Sequence, residues 1–313
     1  MTTASKIPPD HGLTVRMFTT GLMLVILYGA VVGLLIAFGI SYVVVLVIAA
    51  ILLFCQYWFS DKIALFGMGG RVVTPEQAPQ LHGVIDRLCA LADMKKPRVA
   101  IADTDVPNAF ATGRSPNSAV VCATSGLMRR LDESELEAVL AHELSHVAHR
   151  DVAVMTIASF LGVVAGLITR IMFWTGMMGG FGGGGNNNSN DGGDNAALVE
   201  LGVLVVSVVV YAISFLLTRA LSRYRELAAD RSGALLTGQP SALASALVKV
   251  TGEMSRIPTR DLRSAEAFNA FFFTPAIASK GGVSLSTIFA THPTLEKRLD
   301  QLAKIEAELA TPA

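Results

Sequence analysis

The chain alternates between long apolar runs and polar stretches. Met17 to Phe59 is a run of 43 residues without one charged side chain. That is about twice the ~20 residues a membrane-spanning helix requires. Gly39 lies near its middle, with Ser41 and Tyr42 following, so the pattern predicts a hairpin of helices near Met17–Phe38 and Ile40–Phe59. A cleaved signal peptide has an apolar core of only about 7–15 residues and does not fit this length. A second pair of runs follows: Val152–Trp174, interrupted by Arg170, and Ala196–Leu217, interrupted by Glu200. Between them lies the Gly/Asn-rich stretch Gly179–Asn195, a low-complexity linker that cannot build a core. Two buried helices of a large soluble protein would be the plainer reading of this pair, but each run is long enough to span a bilayer.

The polar segments carry weaker but readable patterns. Pro75–Leu91 reads as an amphipathic helix, and Arg98–Ala102 and Ala119–Ala123 as short strands between turn residues. Asp132 and Ser134 open another helix, with Glu135 three residues after Asp132 in capping-box spacing. Further helices are expected near Ser222–Leu236, Ser241–Met254 and Thr294–Leu309. The expected organisation is four blocks. Residues 1–60 form a tail and the first hairpin, and 61–150 the first half of a soluble domain. Residues 151–218 form the second hairpin, and 219–313 the second half of the soluble domain.

Composition agrees. Charged residues are 16% of 313, where a soluble domain has about 25%, and mean hydropathy is +0.52. Net charge is zero with no Lys/Arg run, which argues against nucleic acid as a partner. The three cysteines Cys55, Cys89 and Cys122 are scattered, so neither a disulfide framework nor a cysteine zinc site is expected. Lys6, Arg16, Lys62, Arg71, Arg150, Arg219, Arg223 and Arg225 flank one side of the four predicted crossings, while the other has Arg170 against Asp191, Asp194 and Glu200. Both termini and both soluble halves are therefore expected in the cytoplasm, with the Gly/Asn-rich loop outside. Arg170 and Glu200 reach similar depth in their helices. They are expected either to pair or to snorkel separately to the headgroups.

The sharpest chemical signal is His142-Glu143-Leu144-Ser145-His146. On a helix, positions four apart share a face, so both imidazoles can reach one Zn²⁺. Glu143 stands beside them as a candidate general base toward water. A catalytic zinc site usually needs a third protein ligand. A glycine and a third histidine in the spacing of one known zinc-protease pattern are missing, since His149 and Val152 stand there. After the second hairpin comes Glu226-Leu-Ala-Ala-Asp230, again two acids four apart. One carboxylate could bind metal while the other holds a ligand histidine through its free N–H. Beside Arg223, Arg225 and Arg231 they could also be two solvated acids. Topology favours the metal, because His146 precedes the third crossing and Glu226 follows the fourth, and a membrane hairpin brings its two ends to one face. His149 leans toward the ligand face but suits a capping role better than that of a fourth ligand. Asp151 is expected to face the polar shell at the start of the third crossing, and Cys55 to be a small apolar residue of the second.

These motifs, HELSH at 142–146, ELAAD at 226–230, PNAFATG at 107–113 and THP at 291–293, resemble the HtpX membrane metalloproteases, relatives of the type I CAAX prenyl endopeptidases. The resemblance spans nearly the whole chain. It implies a mainly α integral membrane protein with four transmembrane helices and a split α+β gluzincin-type catalytic domain with a small sheet. It also implies one Zn²⁺ per chain. The expected site in a bacterial cytoplasmic (inner) membrane faces the cytoplasm and cuts unfolded or misfolded membrane proteins under stress. By position, His142, His146 and Glu226 would be ligands, Glu143 the base and Asp230 the acid behind a ligand. Asn108, Ala109 and Phe110 would line the substrate cleft on an edge strand, and His292 would lie near the developing oxyanion. Self-cleavage in detergent is expected near Thr259–Phe273. A transporter would need polar groups at membrane mid-depth, which Met17–Phe59 lacks. A non-catalytic zinc scaffold would keep the histidines without needing Glu143.

Overall fold

The computed structural model describes residues 11–37, 65–113, 115–151, 193–254 and 292–311, with isolated positions elsewhere, Phe273 among them. The protein is mainly helical with one small mixed sheet. The chain divides into two compact units: residues 1–18, 54–156 and 219–313 form one, and 19–53 with 157–218 the other.

In the first unit, strands β1 (Gly70–Val72), β2 (Arg98–Ala102), β3 (Ala109–Thr112) and β4 (Val120–Thr124) form a sheet in the order β1-β2-β4-β3. β2 and β4 run parallel, while β1 and β3 are antiparallel to their neighbours, which leaves β3 on an edge. The apolar run Val-Val-Cys-Ala of β4 suits a central strand, and all five β4 residues are buried. The two strands expected from the sequence appear as β2 and β4, β4 being shifted by one residue. β1 has only three residues and so shows no alternation to read.

Helix α1 (Pro79–Ala92) starts four residues later than its pattern suggests. Thr74–Ala78 forms a turn, with Ala78 N–H donating to Thr74 O at 3.1 Å, and Pro79 takes the first helical turn that proline favours. After the short helix α2 (Ser125–Arg130) comes α3 (Glu133–Ala148), opened by the expected capping box. Glu135 N–H donates to Asp132 Oδ1 at 2.9 Å, and Asp132 N–H donates to Glu135 Oε2 at 3.0 Å. The Glu135 carboxylate is buried, and it is partnered by Lys249 Nζ at 2.5 Å and the Ser245 hydroxyl at 2.6 Å, both from helix α5 (Pro240–Met254). From Leu136 to Val147 almost every α3 residue is buried, because α1, α5 and β3 all pack on it. Helix α6 (Leu295–Ala310) lies against α5.

Helix α4 runs unbroken from Gly193 to Thr237. The separate helices expected at Ala196–Leu217 and Ser222–Leu236 are one, since the intervening Thr-Arg-Ala-Leu contains neither Gly nor Pro to interrupt it. The most apolar 18-residue window within Leu204–Thr237 has a mean hydropathy of 2.2, and this is the one helix among the described residues long and apolar enough to cross a membrane. In the second unit Ala165 and Val210 pack with Leu27 and Val206, while Val205, Val208, Val209 and Leu216 lie exposed. Exposed apolar side chains at this density mark a surface that meets something other than water. The N-terminal helix His11–Ala37 also bears exposed Phe18, Val25 and Ile26. Most of the expected second and third crossings, Arg170, the side chain of Glu200 and most of the Gly/Asn-rich loop lie outside the described residues.

Glu135 joins α3 to α5, so Glu135→Ala should lower stability by about 1–3 kcal/mol, the cost of stranding buried hydrogen-bonding partners. Glu133→Ala, at a side chain that is 66% exposed, should shift it by less than about 0.5 kcal/mol. Thermal unfolding of the two variants in detergent measures the difference. Equal losses would show that Glu135 does not tie the helices.

Candidate metal centre

His142 and His146 lie one turn apart on α3, and Glu226 lies on α4. Their ligand atoms fall within 4.8 Å of one another. The two Nε2 atoms are 3.2 Å apart. Glu226 Oε2 stands 3.7 Å from His142 Nε2, and its Oε1 stands 3.6 Å from His146 Nε2. The close approach of α3 and α4 depends on Gly233. A Cβ there would lie 2.9 Å from His142 N and 3.1 Å from its Cα. Gly233 is seven residues beyond Glu226, on the same helical face.

Each histidine is oriented from behind. His142 Nδ1 stands 2.9 Å from Asp230 Oδ1, and His146 Nδ1 stands 2.5 Å from Asp151 Oδ2. With Nδ1 turned to a carboxylate, the proton of each ring sits there and both Nε2 lone pairs face the same point. Two acceptors 3.2 Å apart need a cation between them. A tetrahedral zinc with Zn–N of about 2.0–2.1 Å would set its nitrogens about 3.3 Å apart, so the pair fits. Glu226 turns one carboxylate oxygen toward each Nε2, as a metal ligand would.

The carboxylates are themselves supported. Arg298 on α6 grips Asp230 with Nε to Oδ2 at 2.7 Å and Nη2 to Oδ1 at 2.6 Å, and is 1% exposed. Arg225 Nε stands 3.0 Å from Asp151 Oδ1. Four buried acids, Glu143, Asp151, Glu226 and Asp230, thus face two buried guanidiniums, Arg225 and Arg298. With Asp151 and Asp230 each paired to a guanidinium, the Glu226 carboxylate is left as the anion beside the two Nε2 atoms, where a divalent cation would be held.

Burial lowers the His142 pKa and keeps the ring neutral, as a ligand must be. Burial opposes charge on His146 too, but the Asp151 hydrogen bond outweighs it and raises that ring. Burial works against ionised Glu226, yet His292, His146 and His142 outweigh it and hold the carboxyl well below the usual range. Asp230 is lowered in the same way, with Arg298 overcoming burial. Glu143 goes the other way: burial pushes it up to about 8, and Glu226 adds to the shift. Two carboxylates in one cluster are thereby held apart, one an anion and one a proton-exchanging group near neutral pH.

His292 is buried with Nδ1 3.1 Å from Glu226 Oε2, so it joins the cluster. Asn108 is buried just before β3. Its N–H donates to Thr124 Oγ1 at 2.9 Å, its C=O accepts from the Thr124 N–H at 2.9 Å, and its Oδ1 accepts from the Phe273 N–H at 2.8 Å. Ala109 and Phe110 begin the edge strand, and the Ala111 N–H reaches the Glu143 carboxylate. His149 caps the C-terminus of α3, its N–H donating to Ser145 O at 2.9 Å. Next, Arg150 adopts φ 56, which turns the chain so that Asp151 returns to His146. Sequence reasoning missed the Asp151–Arg225 pair, Arg298 and Gly233. Only the last had a local signal, as a glycine sharing the helix face of Glu226 and Asp230.

Gly233→Ala should wedge α4 from α3 and weaken zinc affinity by more than tenfold, whereas Gly252→Ala, with open space around it, should not. Competition with a chromophoric chelator measures both. Wild-type affinity in Gly233→Ala would show that the contact does not set the ligand spacing.

Residues 75–306 match the family described as Peptidase family M48. Protease HtpX homolog 1 of Streptomyces coelicolor is 60% identical over 306 residues, covering 97% of this chain and 96% of that protein. The protease HtpX homolog of Moorella thermoacetica is 53% identical over 301 residues, or 96% of each chain. Among solved structures, the crystal structure of S. mikatae Ste24p matches with a TM-score of 0.51 at 17% identity, a likeness of fold. The match covers 94% of this chain and 66% of that one, so this chain spans just under two thirds of its length.

Proposed function

The chain belongs to peptidase family M48 and is a membrane-bound metalloprotease, and we propose that it is a zinc endopeptidase that cuts misfolded or damaged membrane proteins at the cytoplasmic face. The convergence of His142, His146 and Glu226 within 4.8 Å, with Glu143 beside them, carries this reading. His142, His146 and Glu226 would hold one zinc. Bound there, it would supply a Lewis acid and activate water near neutral pH. Glu143 takes the proton of the attacking water and returns it to the leaving amine, a transfer suited to a carboxyl tuned to about 8. His292, with Nδ1 toward Glu226, donates from its other ring nitrogen to the oxyanion. Asp230 and Asp151 fix the two ligand rings.

Substrate enters as an extended strand along β3. Asn108 O accepts from the Thr124 N–H, so Asn108 faces β4, and strand alternation turns the main-chain groups of Ala109 and Ala111 away from β4, where substrate would compete with Glu143 for the Ala111 N–H. Strand addition reads main chain more than sequence and so selects unfolded segments. The exposed apolar faces support a membrane setting, and the proposal adds to it four crossings in a bacterial inner membrane, both termini and the zinc site cytoplasmic, and a role in quality control under stress.

Glu143→Gln should abolish hydrolysis of casein by the detergent-solubilised protein while zinc content stays at one per chain. Glu226→Ala should lose the zinc. Turnover by Glu143→Gln would remove the base from the mechanism, and full zinc in Glu226→Ala would remove the third ligand.

A further inference from the structure

Phe273 is bound in a way the catalytic reading does not explain. Its N–H donates to Asn108 Oδ1 at 2.8 Å, and its C=O accepts from Arg298 Nη1 at 2.8 Å. Both main-chain groups of one residue are thus taken by buried side chains, one 165 positions before it and one 25 after. The ring is 1% exposed, edge-on to the His142 imidazole at 5.1 Å between centroids, with the Arg298 guanidinium 5.0 Å from its centroid. Asn108 opens the edge strand and Arg298 holds the acid behind His142, so both grips belong to the catalytic machinery. A donor and an acceptor matched to one residue's main chain, with an aromatic slot beside a metal ligand, are what a peptidase needs to hold a residue next to the bond it cuts.

We propose that Phe273 is an internal occupant of the substrate site, bound as a substrate residue would be and competing with substrate. The inference rests on the peptidase reading, and it deepens that reading. A substrate segment must displace Phe273, and the slot it leaves favours an aromatic or large apolar side chain. Asn108 and Arg298 then serve incoming substrate as they serve Phe273. A purely structural anchor would behave in the opposite way, since its loss would loosen His142 and weaken binding.

The test uses the full-length, zinc-loaded chain in detergent with Glu143→Gln, so that bound peptide is not cut. Binding of a short labelled peptide with a central Phe is followed by fluorescence anisotropy, with a peptide carrying Asp in its place as control. If Phe273 fills the site nine-tenths of the time, Phe273→Ala should bind the Phe peptide about tenfold tighter. Phe273→Leu should show a smaller increase, and the Asp peptide should bind weakly throughout. Equal or weaker binding in both Phe273 variants would overturn the proposal. Should Phe273→Ala melt early, Phe273→Leu decides alone. Casein hydrolysis by the chain that retains Glu143 separates the two readings. Hydrolysis without tighter binding removes only the internal occupant, whereas no hydrolysis with zinc bound removes the peptidase reading itself.

Discussion

The site is governed by the placement of buried negative charge. An uncompensated carboxylate in a dry interior is prohibitively costly. Here Glu143, Asp151, Glu226 and Asp230 share one buried cluster. Arg298 and Arg225 each neutralise an acid, and those acids in turn fix His142 and His146. What the guanidiniums leave over is the pair Glu143 and Glu226, facing two imidazole nitrogens 3.2 Å apart. A divalent cation is the simplest group that satisfies the nitrogens and the carboxylate together. Removing one guanidinium would strand an acid and release the ring in front of it, so the supporting charges are as necessary as the ligands.

The fold is arranged to make that cluster possible. α3 is buried on nearly every face, which holds its histidines in one setting. The Glu135 contacts fix its start, and the left-handed Arg150 brings the chain back beneath its end. α4 supplies Glu226, Asp230 and Arg225 from one continuous helix, and Gly233 lets it lie directly on the His142 backbone. α6 contributes Arg298 from the far end of the chain. Site residues separated widely in sequence are thus carried on few rigid elements, the arrangement that precise catalytic geometry requires.

Much of this was legible in the sequence, for physical reasons. HELSH and ELAAD could be read because helical periodicity places residues four apart on one face, whatever the tertiary structure. The capping box at Asp132 and Glu135 is equally local. Which of Glu226 and Asp230 faces the metal was not readable from spacing alone, because both share a face; the position of Arg298, 68 residues from Asp230, separates them. Arg298 and the Asp151–Arg225 pair gave no signal, since an ion pair between distant segments leaves no local pattern. The join between the two expected helices of α4 was misread. A change from apolar to charged residues looks like a boundary, but it only marks where one helix changes surroundings. The family resemblance suggested Asn108 as a cleft residue, but nothing in the sequence pointed to the bond from Phe273 that occupies its side chain.

The central claim is that two imidazoles and one carboxylate hold one zinc. X-ray absorption at the zinc edge of the loaded, full-length protein in detergent tests it most directly. The expected spectrum shows two imidazole nitrogens at about 2.0–2.1 Å with oxygen completing the set, and Glu226→Ala should lose the signal of bound metal. A sulfur neighbour, or a third imidazole from His149 or His292, would contradict the site described.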